Sequence, residues 1–456
     1  MEEAGESRMP LSRRTLLTAS AVMLPFSGVP AATALAWQGR SAADFGVRAN
    51  SDADQTSALQ RAVDAAARDN VPLWLPPGRY RCASLRLPSG LNFTGQPGAS
   101  ILSLAAAPAL MLCDNARDVT LSGLTFDGRG IPLPARRGLL HGHSIDGLHI
   151  HACALAASGG EGFWLEETSG DIRNSTFTGC ARTAIVSFNA RGLLVAQNVV
   201  RGTRENGIEI LRHAPGDDGT LVIDNRIEAI TAGPGGSGQY GNGIIAYRAG
   251  NVIVRGNRIR DCDYSGVRGN SANNIQILGN SISTVREVAI YSEFSFEAAV
   301  VASNTIDGAA LGVSVCNFNE GGRIAAVNGN IVRNLLPNRP PGSADGAGGI
   351  GIYVEADAAV TGNVIEKAPF VGIMAGWGKY LRDVAITGNV VREAFIGIGI
   401  SASPGAGHAL VNGNVIADAA RGAIVGMDHD KAVTGDLARA GTEKFQHITI
   451  GANQIR

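Results

Sequence analysis

Ten asparagines recur along this chain inside near-copies of one phrase, among them "NVIVRGNRI" from residue 251, "NIQILGNSI" from 274 and "DVAITGNVV" from 383. Aligned on the Asn, the slots are Asn198, Asn225, Asn257, Asn280, Asn304, Asn330, Asn363, Asn389, Asn414 and Asn453, spaced 23 to 39 residues apart. Three residues before every slot stands Val or Ile, from Val195 to Ile450, and two residues after it the same holds, from Val200 to Ile455. Three earlier rungs keep the apolar columns but carry Leu124, Cys153 and Ser175 in the slot. A self-similar period of this size outranks local propensity, because each copy is one unit that buries its apolar face only against its neighbours.

Between slots runs a second phrase, short, β-branched and led by Gly: "NGIEI" at 206, "GIYVE" at 351, "GIGIS" at 397. Each rung therefore holds three short strands: one before the Asn, a stub after it, and the Gly-led one. Side chains alternate along a strand, so the Val and Ile columns of all three point to one side. A helical reading fails, since no 3.6-residue spacing is sustained and Gly interrupts every ten residues or so. Strands that pair only with their counterparts one rung away wind parallel sheets round one axis. The prediction is an all-β, single-stranded right-handed parallel β-helix, a solenoid of about 13 rungs with an N-terminal capping helix. The Asn residues are scaffold on this reading. The chain must bend within one or two residues, Asn tolerates the left-handed conformation, and stacked carboxamides about 4.8 Å apart can bond from rung to rung.

An unbroken repeat over 456 residues argues for one elongated domain. Its net charge of −1 leaves no basic field for nucleic acid. The six cysteines (Cys82, Cys113, Cys153, Cys180, Cys262, Cys316) form no CxxC pair and no regular position in the rung, so buried reduced thiols are expected. At the N-terminus, Ser12-Arg13-Arg14 precedes an apolar run and Ala34-Leu35-Ala36 offers a small-residue cleavage site. This resembles a twin-arginine export signal, with Leu16 where an aromatic is common; a Sec signal and a retained membrane anchor are the competing readings. It implies a signal peptide over 1–36, passage through the twin-arginine translocase, and a periplasmic or extracellular protein. No later segment is long enough to span a bilayer.

Residues 37–110 read differently from the repeats of 111–456. Asp54 can cap a helix running to about Asp69, with Leu59, Ala62, Val63 and Ala66 on one face. Such a helix would cover the exposed core and unpaired edge of the first rung. Asp44-Phe45-Gly46, Asp54, Ala58-Leu59-Gln60, Ala62-Val63 and Pro77-Gly78-Arg79-Tyr80 make this segment similar to the N-terminal cap of the pectate-lyase and polygalacturonase superfamily. With the signal and the Gly-Asn repeats, the whole chain also resembles a family of twin-arginine-exported repeat proteins of unassigned activity. The superfamily resemblance implies the β-helix fold and a polysaccharide bound along one sheet.

The chemistry should then lie on the Gly-led strands, whose flanking loops are the variable ones. Counting from the Gly, offsets two and four point outward. They carry Trp164, Glu166, Glu209, Tyr247, Arg268, Asn270, Tyr291, Glu293, Tyr353 and Glu355, with Arg212, Arg248 and Phe294 just beyond. For a lyase or epimerase acting on a uronic acid, Arg268 would neutralise the substrate carboxylate and Tyr291 would take the proton. For a hydrolase, Glu293 with Glu355 or Glu209 would supply two carboxylates. Arg268, Tyr291, Glu293 and Glu355 are thus the catalytic candidates. Trp164, Glu209, Arg212, Tyr247, Arg248, Tyr353 and Trp377 are the substrate-binding ones, with Tyr380 a further platform. Replacing residues that lie outside the core is expected to leave the fold intact, within about 0.5 kcal/mol. The alternatives are an ordinary solvated sheet face and a non-catalytic solenoid that binds a glycan or envelope polymer.

Polygalacturonase signatures are missing apart from an Asp217-Asp218 pair, and no pectate-lyase calcium cluster is recognisable. The "GMDHD" run places Asp428, His429 and Asp430 together near the C-terminal end, a weaker candidate. His149 and His151 alternate onto one strand face with Asp171 one rung on. With three polar candidates for the three or four converging ligands a metal needs, surface histidines are expected and no metal ligands are assigned. The cofactor is not legible.

Overall fold

A computed structural model of the chain describes residues 39–233, 235–343 and 346–456. The export-signal reading of residues 1–36 lies outside the described residues.

Three strands per rung stack into three parallel columns, giving a β-solenoid of about 14 turns. The register is the one the Val and Ile columns imply. Before the slot, Val195 pairs with Val222, then Val254, Ile277, Val301, Val327, Val360, Ile386, Val411 and Ile450. After it, Val200 pairs onward through Ile227 and Ile259 to Ile455. Apart from Ile450 and Ile455 at the last rung, which are partly exposed, these side chains fill the interior and are almost wholly buried, each worth about 1.5–3 kcal/mol of transfer from water. Toward the N-terminus the slimmer Val and Ile give way to rings: Phe163 lies edge-on to Phe126 and Phe177, with centroids 6.0 and 4.9 Å away.

The slot asparagines form the expected ladder. From Asn225 onward each Oδ1 accepts both the backbone N–H and the Nδ2 of the Asn one rung earlier; for Asn304 these come from Asn280 at 2.9 and 3.0 Å. Its Nδ2 donates to Ile277 O and to Asn330 Oδ1, both at 2.9 Å. The chain of bonds runs unbroken from Ser175, whose N–H donates to Asn198, to Asn453. One detail differs from expectation. The left-handed residue is the one before the slot, whether Gly279 (φ 62°), Gly362 (φ 67°), Asp224 (φ 56°) or Ser303 (φ 58°), and not the Asn. Asn is therefore selected for its carboxamide alone, and Gly precedes it because the turn needs φ > 0 there.

Glycine leads the third strand for another reason. A Cβ on Gly351 would lie 2.3 Å from Gly372 O, and one on Gly372 would lie 2.6 Å from Gly397 O. Backbones approach too closely there for any side chain.

The capping helix spans Thr56–Arg68 and buries Leu59, Ala62, Val63, Ala65 and Ala66. Gln55 occupies the cap position itself, while Asp54 Oδ1 accepts from Thr56 N–H and Oγ1 at 2.8 and 2.6 Å. Gln60 bonds the backbone N–H and C=O of Arg86, so the helix also occupies an open strand edge. At the far end, Gly422–Asp428 turns back antiparallel to Lys431–Asp436 and closes the solenoid. All six cysteines are free and buried. Among the described residues no helix is long and apolar enough to cross a membrane.

Candidate functional site

Two outward columns run along the Gly-led sheet, as the offsets imply. One reads His141, Trp164, Val186, Glu209, Ile245, Arg268, Tyr291, Ser314 and Tyr353 on successive rungs. The other reads His143, Glu166, Phe188, Leu211, Tyr247, Asn270 and Glu293. Outward does not mean exposed, because loops arch over the sheet and divide the ladder into two clefts and a partition.

The partition is the Arg268 rung. Arg268 is 6% exposed and forms a bidentate pair with Glu293, at 2.7 and 2.8 Å. Its Nη1 lies 3.5 Å from Glu287, and the guanidinium sits 4.7 Å over the Tyr291 ring. Ser237, from the loop before Gly243, donates to Glu287 at 2.6 Å, and Tyr264 Oη donates to Pro341 O of another loop at 2.9 Å. These contacts tie each of the two loops down onto this part of the sheet. The sequence expectation that Arg268 and Glu293 could be changed without cost to the fold is therefore corrected: both are covered, and each is the other's counterion. Burial also pushes the Tyr291 phenol far above its ordinary range, so it stays protonated and is a poor resting base.

The smaller cleft, about 250 Å³, lies beyond Tyr291 and holds Tyr353, Glu355, Arg339, Trp377 and Tyr380. Tyr353 donates to Glu355 Oε1 while the backbone N–H of Phe318 donates to Oε2 at 2.6 Å. Burial raises both groups, the Glu355 carboxyl against the pull of those two bonds. Trp377 meets Tyr353 edge-on at 6.5 Å. On its other side Trp377 packs against His429 at 5.1 Å. His429 and Ser403 both bond Asp428, at 2.8 and 2.6 Å, so Asp428 and His429 form an exposed turn beside this cleft.

The larger cleft, about 620 Å³, lies on the other side of the partition. Trp164, Glu209, Arg212, Tyr247 and Arg248 all line it. Trp164 stacks on Phe188 with centroids 6.3 Å apart and planes 17° apart, and Arg248 lies over the Tyr247 ring at 4.8 Å. Arg212 Nε is buried and has no hydrogen-bond partner among the described residues. Three further residues had no place in the outward columns: Glu161, Glu205 and Tyr240. Glu161 is 5% exposed and ion-paired to Arg182 at 2.6 Å. Burial raises the Glu209 carboxyl, against two bonds that favour its anion, from Asn206 Nδ2 at 2.6 Å and Thr183 Oγ1 at 2.8 Å. Glu205 feels burial first, then the charges of Glu209 and Glu161, and is pushed up to about 7, with Arg182 opposing. The Tyr240 phenol is raised by burial and by the same carboxylates. A recurring signal did exist in the sequence: Glu161, Glu205 and Glu287 each stand at the start of a strand on this sheet or just ahead of it.

A neighbouring concavity holds Asp217 and Asp218 with Arg191, Arg212 and His213. Asp218 is 3% exposed and bonded by Thr220, whereas Asp217 accepts from Asn251 at 2.8 Å.

A parallel β-solenoid with a loop-walled, charged and aromatic sheet is thus the class that fold and site define. The family profile described as "Right handed beta helix region" matches residues 161–334 and 213–391, together just over half of the chain. The chain belongs to the right-handed β-helix family. A profile described as "Rhamnogalacturonase A/epimerase, pectate lyase-like" matches residues 39–116, the cap and first coils. No curated protein sequence matches the chain. Among solved structures, the A-module of the mannuronan C-5 epimerase AlgE6 from Azotobacter vinelandii is similar at 16% identity and a TM-score of 0.52, covering 91% of this chain and 99% of that one. The catalytic unit of the GH87 α-1,3-glucanase from Streptomyces thermodiastaticus is similar at 15% identity and a TM-score of 0.50, covering 94% and 69%. The N-terminal fragment of bacteriophage phi29 gene product 12 reaches a TM-score of 0.55 at 13% identity, covering 85% and 68%. At these identities the likeness is one of fold.

Proposed function

We propose that this protein is a polysaccharide hydrolase whose working centre is the larger cleft, with Glu205 as general acid and Glu209 as the carboxylate that acts as nucleophile or activates water. The observation that carries this reading is the gathering of Glu161, Glu205 and Glu209 in one aromatic-walled cleft, where burial and neighbouring charge bring Glu205 up to about 7. Glycoside hydrolysis needs one carboxyl that keeps its proton near neutrality and one that stays charged. Glu205 meets the first need. Glu209 supplies the second carboxylate: burial raises it, while bonds from Asn206 and Thr183 to its Oε1 favour the anion, and Arg182 balances Glu161 beside them.

Trp164, Phe188 and Tyr247 supply flat faces for sugar rings, and Arg212 and Arg248 supply donors for hydroxyl or acid groups. Elimination or epimerisation at Tyr291 and Arg268 is less well supported, because that phenol is buried and that guanidinium is already engaged by Glu293 and Glu287. The family profile over residues 39–116 and the epimerase and glucanase among the similar folds support a carbohydrate ligand. Arg13-Arg14 and the Ala34-Leu35-Ala36 site support twin-arginine export to the periplasm or beyond.

The test is incubation with a panel of neutral and acidic polysaccharides, read by new reducing ends and by the ultraviolet absorbance of unsaturated ends. Reducing ends without unsaturation are expected. Glu205→Gln and Glu209→Gln should each lower turnover by roughly 10²- to 10⁴-fold while binding persists. Unsaturated products would establish a lyase instead, and binding without turnover would establish a non-catalytic glycan-binding solenoid.

A further inference from the structure

On a different sheet from the clefts, the outer face of the strands before the Asn turns carries a second constellation. His149 and His151 end the strand Gly138–His151, and Asp171 and Arg173 end the strand Glu161–Arg173 one rung on. His149 is in register with Asp171, and His151 with Arg173. Alternation puts both imidazoles on one face, and the parallel register swings the carboxylate between them. His149 Nδ1 lies 2.6 Å from Asp171 Oδ1, and His151 Nε2 lies 2.6 Å from Oδ2. The ligand atoms of the three residues lie within 4.8 Å of one another.

We propose that His149, His151 and Asp171 form a binding site for a divalent transition-metal ion, with Zn²⁺ the best match. Two imidazole nitrogens and one carboxylate oxygen are the donor set and number of an open zinc site, whose remaining position water fills. Asp171 is held in place to act as a ligand, since its side chain is 11% exposed and Arg173 Nε donates to Oδ2 at 2.7 Å. Arg173 thus fixes the carboxylate from outside, as outer-shell partners of metal ligands do. The rungs on either side present Thr120 and Ser122, then Leu194 and Ala196, at the corresponding positions. These are small or uncharged, so the imidazoles, 38% and 41% exposed, face solvent unobstructed. The arrangement differs from the surface histidines expected from the sequence because the carboxylate points at both rings instead of lying beside one. If Asp171 served only as counterion to Arg173, no ion would bind.

The test uses the purified, chelator-stripped protein titrated with ZnCl₂ by calorimetry, alongside cobalt absorption spectroscopy. One equivalent of Zn²⁺ per chain is expected, with Co²⁺ giving ligand-field bands that Zn²⁺ abolishes. Asp171→Asn and the double change His149→Gln with His151→Gln should each weaken binding by about 100-fold, at or beyond the cost of losing an outer-shell partner. The histidines are half-exposed, so the double variant keeps the test valid even if Asp171→Asn lowers stability. The cobalt spectrum of the unaltered protein needs no substitution at all. Absence of ligand-field bands and of stoichiometric binding would overturn the proposal. So would an unchanged isotherm in the double variant, which would put the ion on others of the eight histidines.

Discussion

Glu205 and Glu209 stand four residues apart on one strand and the loop before it, and burial raises both. Glu209 is anchored by a hydroxyl and an amide, whereas Glu205 faces two other carboxylates. The sign of the pH dependence follows. Glu205 must carry its proton to act as acid, so its contribution is present below about 7 and lost as pH rises through that value. Replacing Arg268 by Ala should cost about 3–5 kcal/mol in denaturant unfolding, because Glu287 and Glu293 would stay buried without a counterion. A change within about 0.5 kcal/mol would restore the solvated-face reading. At this scale the sequence carries side-chain direction well, since a two-residue period decides it. It carries burial poorly, because Arg268 is met by Ser237, 31 residues before it in the chain, from a loop that no local pattern places there. Glu161 and Glu205 escaped the outward columns because they sit at the very start of their strands or just ahead of them.

Each strand of the solenoid is too short to persist alone and is held by its two neighbours, so the asparagine ladder acts as a seam along one edge. Asn304→Ala would strand the Asn280 N–H in the interior and should cost about 1–3 kcal/mol by urea denaturation. The same change at Asn453, whose Oδ1 serves Asn414 at the open end of the ladder, should cost less. Gly351→Ala would set a methyl 2.3 Å from Gly372 O and should destabilise by about 1–3 kcal/mol, read in the same way. These elements are legible in the sequence because repetition multiplies a weak signal: one Val-x-x-Asn-x-Ile is unremarkable, whereas ten in register admit few folds. The left-handed residue is displaced by one position from the sequence expectation, since Gly and Asn both tolerate that conformation and only the backbone tells them apart.

For the whole molecule, a solenoid is stable only if its ends are closed. Deleting residues 39–69 would remove the helix and expose the strand Leu73–Leu75, and oligomers or aggregates are expected by light scattering. A monodisperse monomer would mean that the cap is dispensable. Export should depend on the paired arginines: Arg13→Lys with Arg14→Lys is expected to retain the precursor in the cytoplasm, and continued export would favour a Sec route. On the proposed function the Gly-led sheet is the working surface, and the stretch of it around Glu205 is an acid catalyst. The most direct test is the pH dependence of kcat/KM for the unaltered protein and for Glu205→Gln on whichever polysaccharide the panel identifies. The expected result is a decline in activity as pH rises through about 7 that vanishes in the variant along with most of the turnover. An identical profile and rate in both proteins would contradict the assignment.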